Sequence, residues 1–413
     1  MKIIKPFLND NSVFLREKKY IYLLINSIIA RDILLREFAI LLIYEKGKGV
    51  FVQVNISAPV LKIGKFQPKF PLIQGGMGVD ISGFNLAGNV ALNGAIGTIA
   101  SVGICHKSPI FKPEKHNYFE ANEIVLKEAI SKAKAISGSG GIIAVNCMVA
   151  LTDYERQVRA AAEGGADIII SGAGLPLRLP DYVKDFPEIA LVPIVSSAKA
   201  ADLITRHWQK KYSRVPDAFV VEEPASAGGH LGATTIEQVY DPDLRLEKTL
   251  PDVVKYVREN LDGKIPVIAA GGIWDRNDLE RVFKLGASGV QMGTRFACTE
   301  EGDASDRFKQ AYIDAKPEDV VLIHSPAGLP GRAIKNPFVA KYLEGNVESR
   351  PCFANCLSHC RYRKTRETFC IAMALVDAQV GDWEHGLFFC GSNVYRANKI
   401  EKVRDIIQEL FGE

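Results

Sequence analysis

The residue best suited to chemistry by its type and surroundings is His230, because histidine changes its charge near neutral pH. It lies in the segment AGGHLG, residues 227–232, where small neighbours leave space around the ring. A lone histidine is more often structural than catalytic, so its place in the fold matters. The segment follows a β-rich apolar run, and strand ends form the active site of an α/β barrel. We therefore predict that His230 donates or accepts a proton.

Glycines follow two later apolar runs in a way that fits an anion. Gly271 and Gly272 come directly after one run, and Gly293 and Thr294 come after the next. Glycine lets backbone N–H groups approach an anion closely, and the loops after strands seven and eight are the common phosphate site of a TIM barrel. Tight turns alone would also explain these glycines. We favour a phosphate group between the two loops.

Other small or polar residues stand at the ends of apolar runs nearer the N-terminus. At these positions a flat ring could lie against the backbone. Taken singly, Met77 and Asn146 are better explained as core or turn residues. Together, the residues at these ends predict ligand contacts at Gln74, Gly75, Gly76, Met77, Asn146, Gly172, Ala173 and Gly174.

The elements that must position these residues are short apolar runs alternating with amphipathic segments, a pattern typical of βαβ units. Eight such runs are predicted as strands: 71–74, 94–100, 141–147, 166–171, 190–196, 218–222, 265–270 and 289–292. Helices are predicted at 122–135, 152–163, 198–211, 250–261 and 276–285. A doubly wound sheet would carry a G-x-G-x-x-G turn after its first strand, and Gly75-Gly76-Met77-Gly78 lacks that spacing. The sequence therefore predicts a TIM (β/α)₈ barrel with a C-terminal Cys-rich helical extension.

Four segments together resemble the nitronate monooxygenase family, formerly called 2-nitropropane dioxygenases, which includes flavin-dependent enoyl-acyl carrier protein reductases. They are PLIQGGMG (71–78), AGGHLG (227–232), PVIAAGGI (266–273) and VQMGTRF (290–296), within a match from about Leu61 to Phe338. The resemblance implies an FMN-binding barrel, with flavin contacts at the glycines and polar residues named above and at Gly228 and Gly229, and His230 acting on the substrate. One departure is that Ala225-Ser226-Ala227 replaces the acidic residue that the family often carries there.

The resemblance predicts an FMN-dependent oxidoreductase that oxidises alkyl nitronates with O₂. One alternative is a flavin reductase that uses NAD(P)H to reduce enoyl thioesters or quinones. A second is a non-catalytic flavin or redox sensor. The expected partners are a small-molecule substrate and O₂, and a homodimer is compatible with the sequence.

Four cysteines near the C-terminus form a C-x₃-C-x₃-C-x₉-C pattern. These C-terminal thiols are Cys352, Cys356, Cys360 and Cys370. If Pro351 opens a helix, the first three share one face, and the fourth could complete an iron–sulfur or zinc site. The spacing differs from the usual C-x₂-C pairs, and buried free thiols explain the pattern as well.

Composition and charge argue against nucleic-acid-binding, membrane-spanning and secreted classes of protein. The 413 residues are 47% hydrophobic and 24% charged with a net charge of +3, which gives no reason to expect nucleic acid as a partner. The apolar run 20–30 is broken by Arg31 and Asp32 before it reaches a membrane-spanning length. Eight cysteines with no visible secretory leader predict a reducing, cytoplasmic setting and no membrane partner.

The predicted domain organisation has three parts: an extra segment at 1–55, the barrel at 56–340 and the extension at 341–413, packed on the barrel. The extra segment reads best as a mis-assigned start, with Val50 or Val52 as the true first codon. Residues 325–338 are predicted as a Pro/Gly-rich loop. In that loop Arg332 would either face an anionic substrate or lie in solvent.

Overall fold

The computed structural model describes residues 21–24, 40–45, 48–52, 58–346 and 350–412. The chain divides into two units, one up to Ala58 and one from Pro59 onward. In the first unit, strands β1 (Ile21–Leu24), β2 (Ile40–Glu45) and β3 (Lys48–Val52) form an antiparallel sheet in that order. The predicted extra segment, residues 1–55, therefore lies largely outside the described residues.

The second unit is built on eight parallel strands that close into a barrel, in the order β11-β12-β4-β5-β6-β7-β8-β9. Their bounds are β4 (Leu72–Gln74), β5 (Ile96–Ala100), β6 (Ile142–Met148), β7 (Ile168–Gly172), β8 (Ala190–Val195), β9 (Phe219–Glu222), β11 (Val267–Ala270) and β12 (Gly289–Met292). Each strand falls on one of the eight apolar runs, so the predicted TIM barrel is confirmed.

Helices follow the barrel strands, as the alternating pattern predicts. They are α1 (Phe84–Leu92), α2 (Tyr118–Ser137), α3 (Tyr154–Glu163), α4 (Leu179–Tyr182), α5 (Ala198–Tyr212), α6 (Leu246–Asn260), α7 (Arg276–Lys284) and α8 (Thr294–Ala297). All five predicted helices are present, and local capping sets where some begin. Ser197 accepts a hydrogen bond from the Ala200 N–H at the start of α5, and Asp275 and Asp278 form a capping box at α7.

Apolar side chains fill the barrel interior. The residues buried there include Leu61, Ile63, Ile73, Ile96, Ile142, Ile168, Ile170, Val192, Val220 and Ile268. Alternate residues of a strand point inward, and seven of the eight barrel strands contribute one or two of them, while Leu61 and Ile63 come from the segment before β4. Space for a ligand is consequently confined to the C-terminal ends of the strands.

A small antiparallel sheet covers the same end of the barrel. It consists of β10 (Gly229–His230), β14 (Pro330–Ile334) and β13 (Val320–His324) in that order. The prediction of a loop over 325–338 is wrong for residues 330–334, because this segment pairs with β13 on one side and β10 on the other. Pairing with distant strands overrides the local Pro and Gly signals.

The described residues after the barrel form five α-helices, α9 (Asp306–Asp314), α10 (Pro337–Leu343), α11 (Arg361–Thr365), α12 (Ile371–Gln379) and α13 (Val403–Phe411). The predicted helix opened by Pro351 is wrong, since residues 351–360 are not helical. The Cys356 carbonyl instead accepts a hydrogen bond from the Thr152 N–H at 2.9 Å, and the Ser358 N–H donates to the Ala150 carbonyl at 3.0 Å. Bonds to the loop after β6 thus replace the internal bonds of a helix. Among the described residues, none of the helices has the length and apolar character needed to cross a membrane.

Candidate functional site

A cavity of about 310 Å³ opens at the C-terminal ends of the barrel strands. This volume lies within the usual range for ligand pockets. Of the predicted site residues outside the C-terminal thiols, those lining it are Gly75, Gly76, Met77, Asn146, Gly172, Ala173, Gly228, Gly229, His230, Gly271, Gly272, Gly293 and Thr294. The barrel therefore brings together residues that are more than 200 positions apart in sequence.

Two predicted contacts, Gln74 and Gly174, are not among the lining residues. Gln74 is fully buried; its amide N–H donates to the Gly75 carbonyl, and its Oε1 accepts from the Thr98 N–H at 3.0 Å. It thus holds the glycine loop from beneath. Gly174 has φ +133°, and a Cβ there would meet Val149 at 3.0 Å. Both residues shape the wall without facing the cavity.

His230 is held by the small sheet above the barrel. Gly229 and His230 pair with Arg332 and Gly331 of β14. The His230 Nε2 atom lies 2.7 Å from the Ser325 hydroxyl, and the ring meets Phe389 edge to face at 5.3 Å between centroids. These contacts fix the orientation of the imidazole at the wall of the cavity.

Desolvation at this position lowers the pKa of His230 to about 4. The imidazole is therefore neutral at neutral pH and can accept a proton from a bound molecule. Of the two roles open to this histidine, binding an anion as an imidazolium or removing a proton as a base, the lowered pKa disfavours the imidazolium, and the same desolvation makes the neutral imidazole a weak base.

Arg332 is buried with 2% of its surface exposed, so both predicted placements, against a substrate and in solvent, are wrong. Its guanidinium donates to the Pro224 carbonyl at 3.3 Å, to the Ala225 carbonyl at 2.9 Å and to the Ala227 carbonyl. Five fixed N–H donors suit an arginine to several carbonyls at once. Arg332 thus holds the turn that leads from β9 to His230.

We expect Arg332→Met to lower the free energy of unfolding by about 3 kcal/mol, because three buried carbonyls lose their donors. Denaturant unfolding followed by circular dichroism measures the change. Arg404→Met, which alters an exposed arginine on α13, is the matched control and should change stability by less than about 0.5 kcal/mol. Equal effects of the two substitutions would contradict the role given to Arg332.

The predicted phosphate loops meet across one corner of the cavity. Gly271 and Gly272 have φ values of +98° and +68°, which few residues other than glycine adopt. A Cβ on Gly272 would lie 2.8 Å from the Ser226 Cβ, so a side chain has no room there. Thr294 opens α8 on the other side of this corner.

The C-terminal region supplies residues of this corner that the sequence analysis missed. The Gly391 N–H donates to the Thr294 hydroxyl at 2.9 Å, and the Asn393 side chain donates to the Gly272 carbonyl at 2.9 Å. Phe389 and Cys390 also line the cavity. In the sequence, the one pattern that could have pointed to these residues is an apolar run ending in Gly391-Ser392-Asn393, because it resembles the strand ends of the barrel.

Comparison with known sequences places this architecture in a family. The sequence profile named Nitronate monooxygenase matches residues 60–413, which is most of the chain. The chain belongs to the nitronate monooxygenase family. The family resemblance based on four short segments is confirmed, and the match extends through the C-terminal region to the last residue.

Curated members of the nitronate monooxygenase family match part of the chain. A probable nitronate monooxygenase from Staphylococcus haemolyticus is 37% identical over 136 residues, which is 32% of this chain and 36% of that protein. The corresponding protein from Staphylococcus saprophyticus is 38% identical over 132 residues. These alignments thus span about a third of each relative.

Solved structures match most of the chain. FabK from Thermotoga maritima has 26% sequence identity and a TM-score of 0.63, covering 84% of this chain and 92% of that one. A nitroalkane oxidase from Streptomyces ansochromogenes covers 84% of this chain and 96% of its own, with a TM-score of 0.62 and 17% identity. The second likeness concerns the fold alone.

This family member carries an acidic residue in the cavity despite the departure at Ala225-Ser226-Ala227. Glu222, the last residue of β9, lines the cavity and is half-buried. Burial raises the pKa of its carboxyl to about 7. Sequence reasoning treated Glu222 only as a strand residue, because the short apolar run that it ends does not show whether its side chain faces the cavity or the surrounding helices.

The raised pKa of Glu222 makes stability depend on pH. The fold favours the neutral acid, so its stabilisation is complete below about pH 4.5 and is lost as pH rises through about 7. Glu222→Gln has no such loss, and we expect it to exceed the parent protein in stability by up to about 3 kcal/mol at pH 8 but not at about pH 4.5. Thermal unfolding at both pH values tests this, with exposed Glu344→Gln as the control. A gain that is the same at both pH values would contradict the assignment.

Cys356, one of the C-terminal thiols, contributes to the wall of the cavity. Cys356, Cys360 and Cys370 are buried, Cys352 is half-buried, and all four are free thiols. Burial raises the pKa of Cys356 to about 12, and the neighbouring Cys370, Cys352 and Cys360 act in the same direction. Within the described ranges, no group of three or more His, Cys, Asp or Glu is arranged to hold a metal ion.

Proposed function

We propose that this protein is an FMN-dependent oxidoreductase that oxidises alkyl nitronates with O₂. Membership of the nitronate monooxygenase family supports the reaction class. The single observation that carries the proposal is a neutral histidine, His230, in the lining of a cavity that is also lined by Gly271, Gly272 and Thr294, here called the glycine cradle.

The residues of the cavity fit FMN. Gly271, Gly272 and Thr294 would hold its phosphate, since the cradle brings backbone close to a ligand where no side chain fits. Asn146 and the Gly75–Met77 loop would meet the flat ring. Gln291 lines the cavity, and its buried Oε1 atom has no hydrogen-bond partner among the described residues. A ring N–H such as isoalloxazine carries would satisfy this acceptor.

The flavin would supply the electron transfer, and the protein supplies position and proton handling. His230, neutral at physiological pH, accepts the α-proton when the substrate arrives as a neutral nitroalkane. The Ser325 hydroxyl keeps the ring in one orientation. Phe389 and Met77 line the cavity and give part of its wall an apolar character.

The alternative function is NAD(P)H-dependent reduction of enoyl thioesters or quinones through the same flavin. Similarity to FabK, an enoyl-acyl carrier protein reductase, favours it. So does Glu222, whose raised pKa keeps part of the carboxyl protonated near neutral pH and able to donate a proton. No dinucleotide fingerprint is present in the sequence, so the nicotinamide would have to approach the flavin from the open side of the cavity.

Anaerobic stopped-flow spectroscopy of the flavin-loaded protein distinguishes these functions. We expect rapid bleaching of the flavin absorbance by an alkyl nitronate and slow bleaching by NADH or NADPH. The opposite order would replace the oxygenase with the reductase. Bleaching by neither reagent would favour the sensor, and a protein that binds no FMN would overturn the proposal.

A further inference from the structure

We propose that one part of the cavity binds the unbranched hydrocarbon chain of the substrate. This apolar part is defined by six half-buried apolar residues of the described lining: Val102, Met148, Phe353, Ala372, Leu375 and Val376. The inference rests on the proposed function for the reacting end of the substrate, and it adds that the substrate is a nitroalkane or nitronate with several methylene groups.

The apolar part forms where the C-terminal region packs against the loops after β5 and β6. Leu151, which follows β6, pairs with Leu357 as a single antiparallel bridge, and both line the cavity. The Phe353 ring meets Tyr118, the first residue of α2, edge to face with 6.3 Å between the ring centroids. The end of α12 is fixed by Gln379, whose side-chain amide donates to two backbone carbonyls at 3.3 and 3.0 Å. These contacts hold the wall of the apolar part in place.

The charges of the lining argue against a charged tail on the substrate. The described lining contains no Lys, Arg or Asp, and Glu222 at the end of β9 is its one carboxylic acid. Burial lowers the pKa of His106, in the loop after β5, and raises the pKa of Tyr118, so both lining residues are neutral at neutral pH. A charged tail would therefore lose its water without gaining an ionic partner.

Apolar side chains that keep accessible surface around a cavity favour an apolar ligand. When a hydrocarbon chain enters, its own surface and that of the wall are both removed from water. Each methylene group that finds room should tighten binding about fourfold. A chain longer than the apolar part can hold gains no further contact, so the affinity should rise with chain length and then level off.

Isothermal titration calorimetry with straight-chain 1-alkanols, from ethanol to decanol, tests the proposal on the full-length protein loaded with FMN. We expect the affinity to rise about fourfold with each methylene group until it levels off. An affinity that is independent of chain length would overturn the proposal.

Steady-state kinetics with 1-nitroalkanes should give the same rise in kcat/KM, and this measurement alone depends on the proposed function. If no nitroalkane is turned over while alkanol binding depends on chain length, the oxygenase is contradicted and the chain site is supported. If enoyl thioesters are turned over instead, the chain belongs to their acyl group, and their kcat/KM should follow the same rise.

Two substitutions on α12 should change the chain length at which the affinity levels off, in opposite directions. Ala372→Phe fills part of the space and should lower the affinity for decanol at least about tenfold, whereas Leu375→Ala enlarges the space and should move the limit to a longer chain. Met373→Phe is the matched control, because Met373 is half-buried on the same helix but outside the lining.

Parent-like alkanol profiles for both substitutions, with folding confirmed by circular dichroism, would overturn the proposal. Leu375→Ala carries the test if the larger side chain at position 372 prevents folding. Weaker FMN binding by Ala372→Phe with an unchanged alkanol profile would also overturn it, since the flavin ring would then occupy the apolar part.

Discussion

His230→Asn is expected to lower kcat/KM for a neutral nitroalkane by at least about 10²-fold while the protein retains its FMN. The loss follows from removal of the base, because general acid–base catalysis typically contributes this much. Asparagine keeps a hydrogen-bonding group next to Ser325 but cannot take up a proton at neutral pH. Steady-state kinetics with the neutral nitroalkane and with its preformed nitronate measure the effect, which should be much smaller for the nitronate because its α-proton is already absent.

The matched control for this histidine is His324→Asn. His324 is exposed at the end of β13, next to Ser325, and it lies outside the cavity lining. We expect parent-like kinetics from this variant. Full turnover of the neutral nitroalkane by His230→Asn with FMN bound would remove His230 from the proposed chemistry.

Gly272→Val is expected to weaken FMN binding by about 100-fold or more. Valine at φ +68° is strained, and its Cβ would collide with Ser226 in the corner assigned to the phosphate. Displacement of the backbone N–H groups in this corner, at a cost of roughly 3 kcal/mol in binding free energy, corresponds to that change in affinity. Quenching of flavin fluorescence during titration of the deflavinated protein gives the dissociation constant.

Gly165→Val separates backbone strain from damage to the cradle. Gly165 has φ +84° with nothing within 4 Å of its Cβ position, and it precedes β7 at the opposite end of the barrel. We expect this control to lose stability but to bind FMN with unchanged affinity. If the two variants bind FMN equally well, the phosphate does not lie against Gly272.

Much of the fold was predictable because its strands and helices follow from patterns of residues that are neighbours in sequence. Each barrel strand is a short apolar run, and each predicted helix carries amphipathic periodicity, so neighbouring residues alone specify the alternation. The same holds for part of the site, since every βα loop of a barrel opens at the same end. Glycines after β4, β11 and β12 could therefore be assigned to one ligand before any distance was known.

The remaining features depend on contacts between distant parts of the chain. Residues 330–334 become a strand through pairing with β10 and β13, although their local signal is that of a loop. Residues 351–360 form no helix, because their backbone bonds to the loop after β6. Arg332 is buried, since its donors meet carbonyls more than 100 positions away. Local pattern carries no information about such partners.

The sequence by itself determined the barrel, the family and the placement of His230 and the glycine cradle at one end of the strands. Only the tertiary structure decided the protonation state of His230 and the presence of Glu222 in the cavity, because both follow from desolvation by surrounding residues. It also decided that the C-terminal region completes the site. The Asn393 side chain meets the Gly272 carbonyl across 121 positions of sequence, a contact that exists only once the chain has folded back over the barrel.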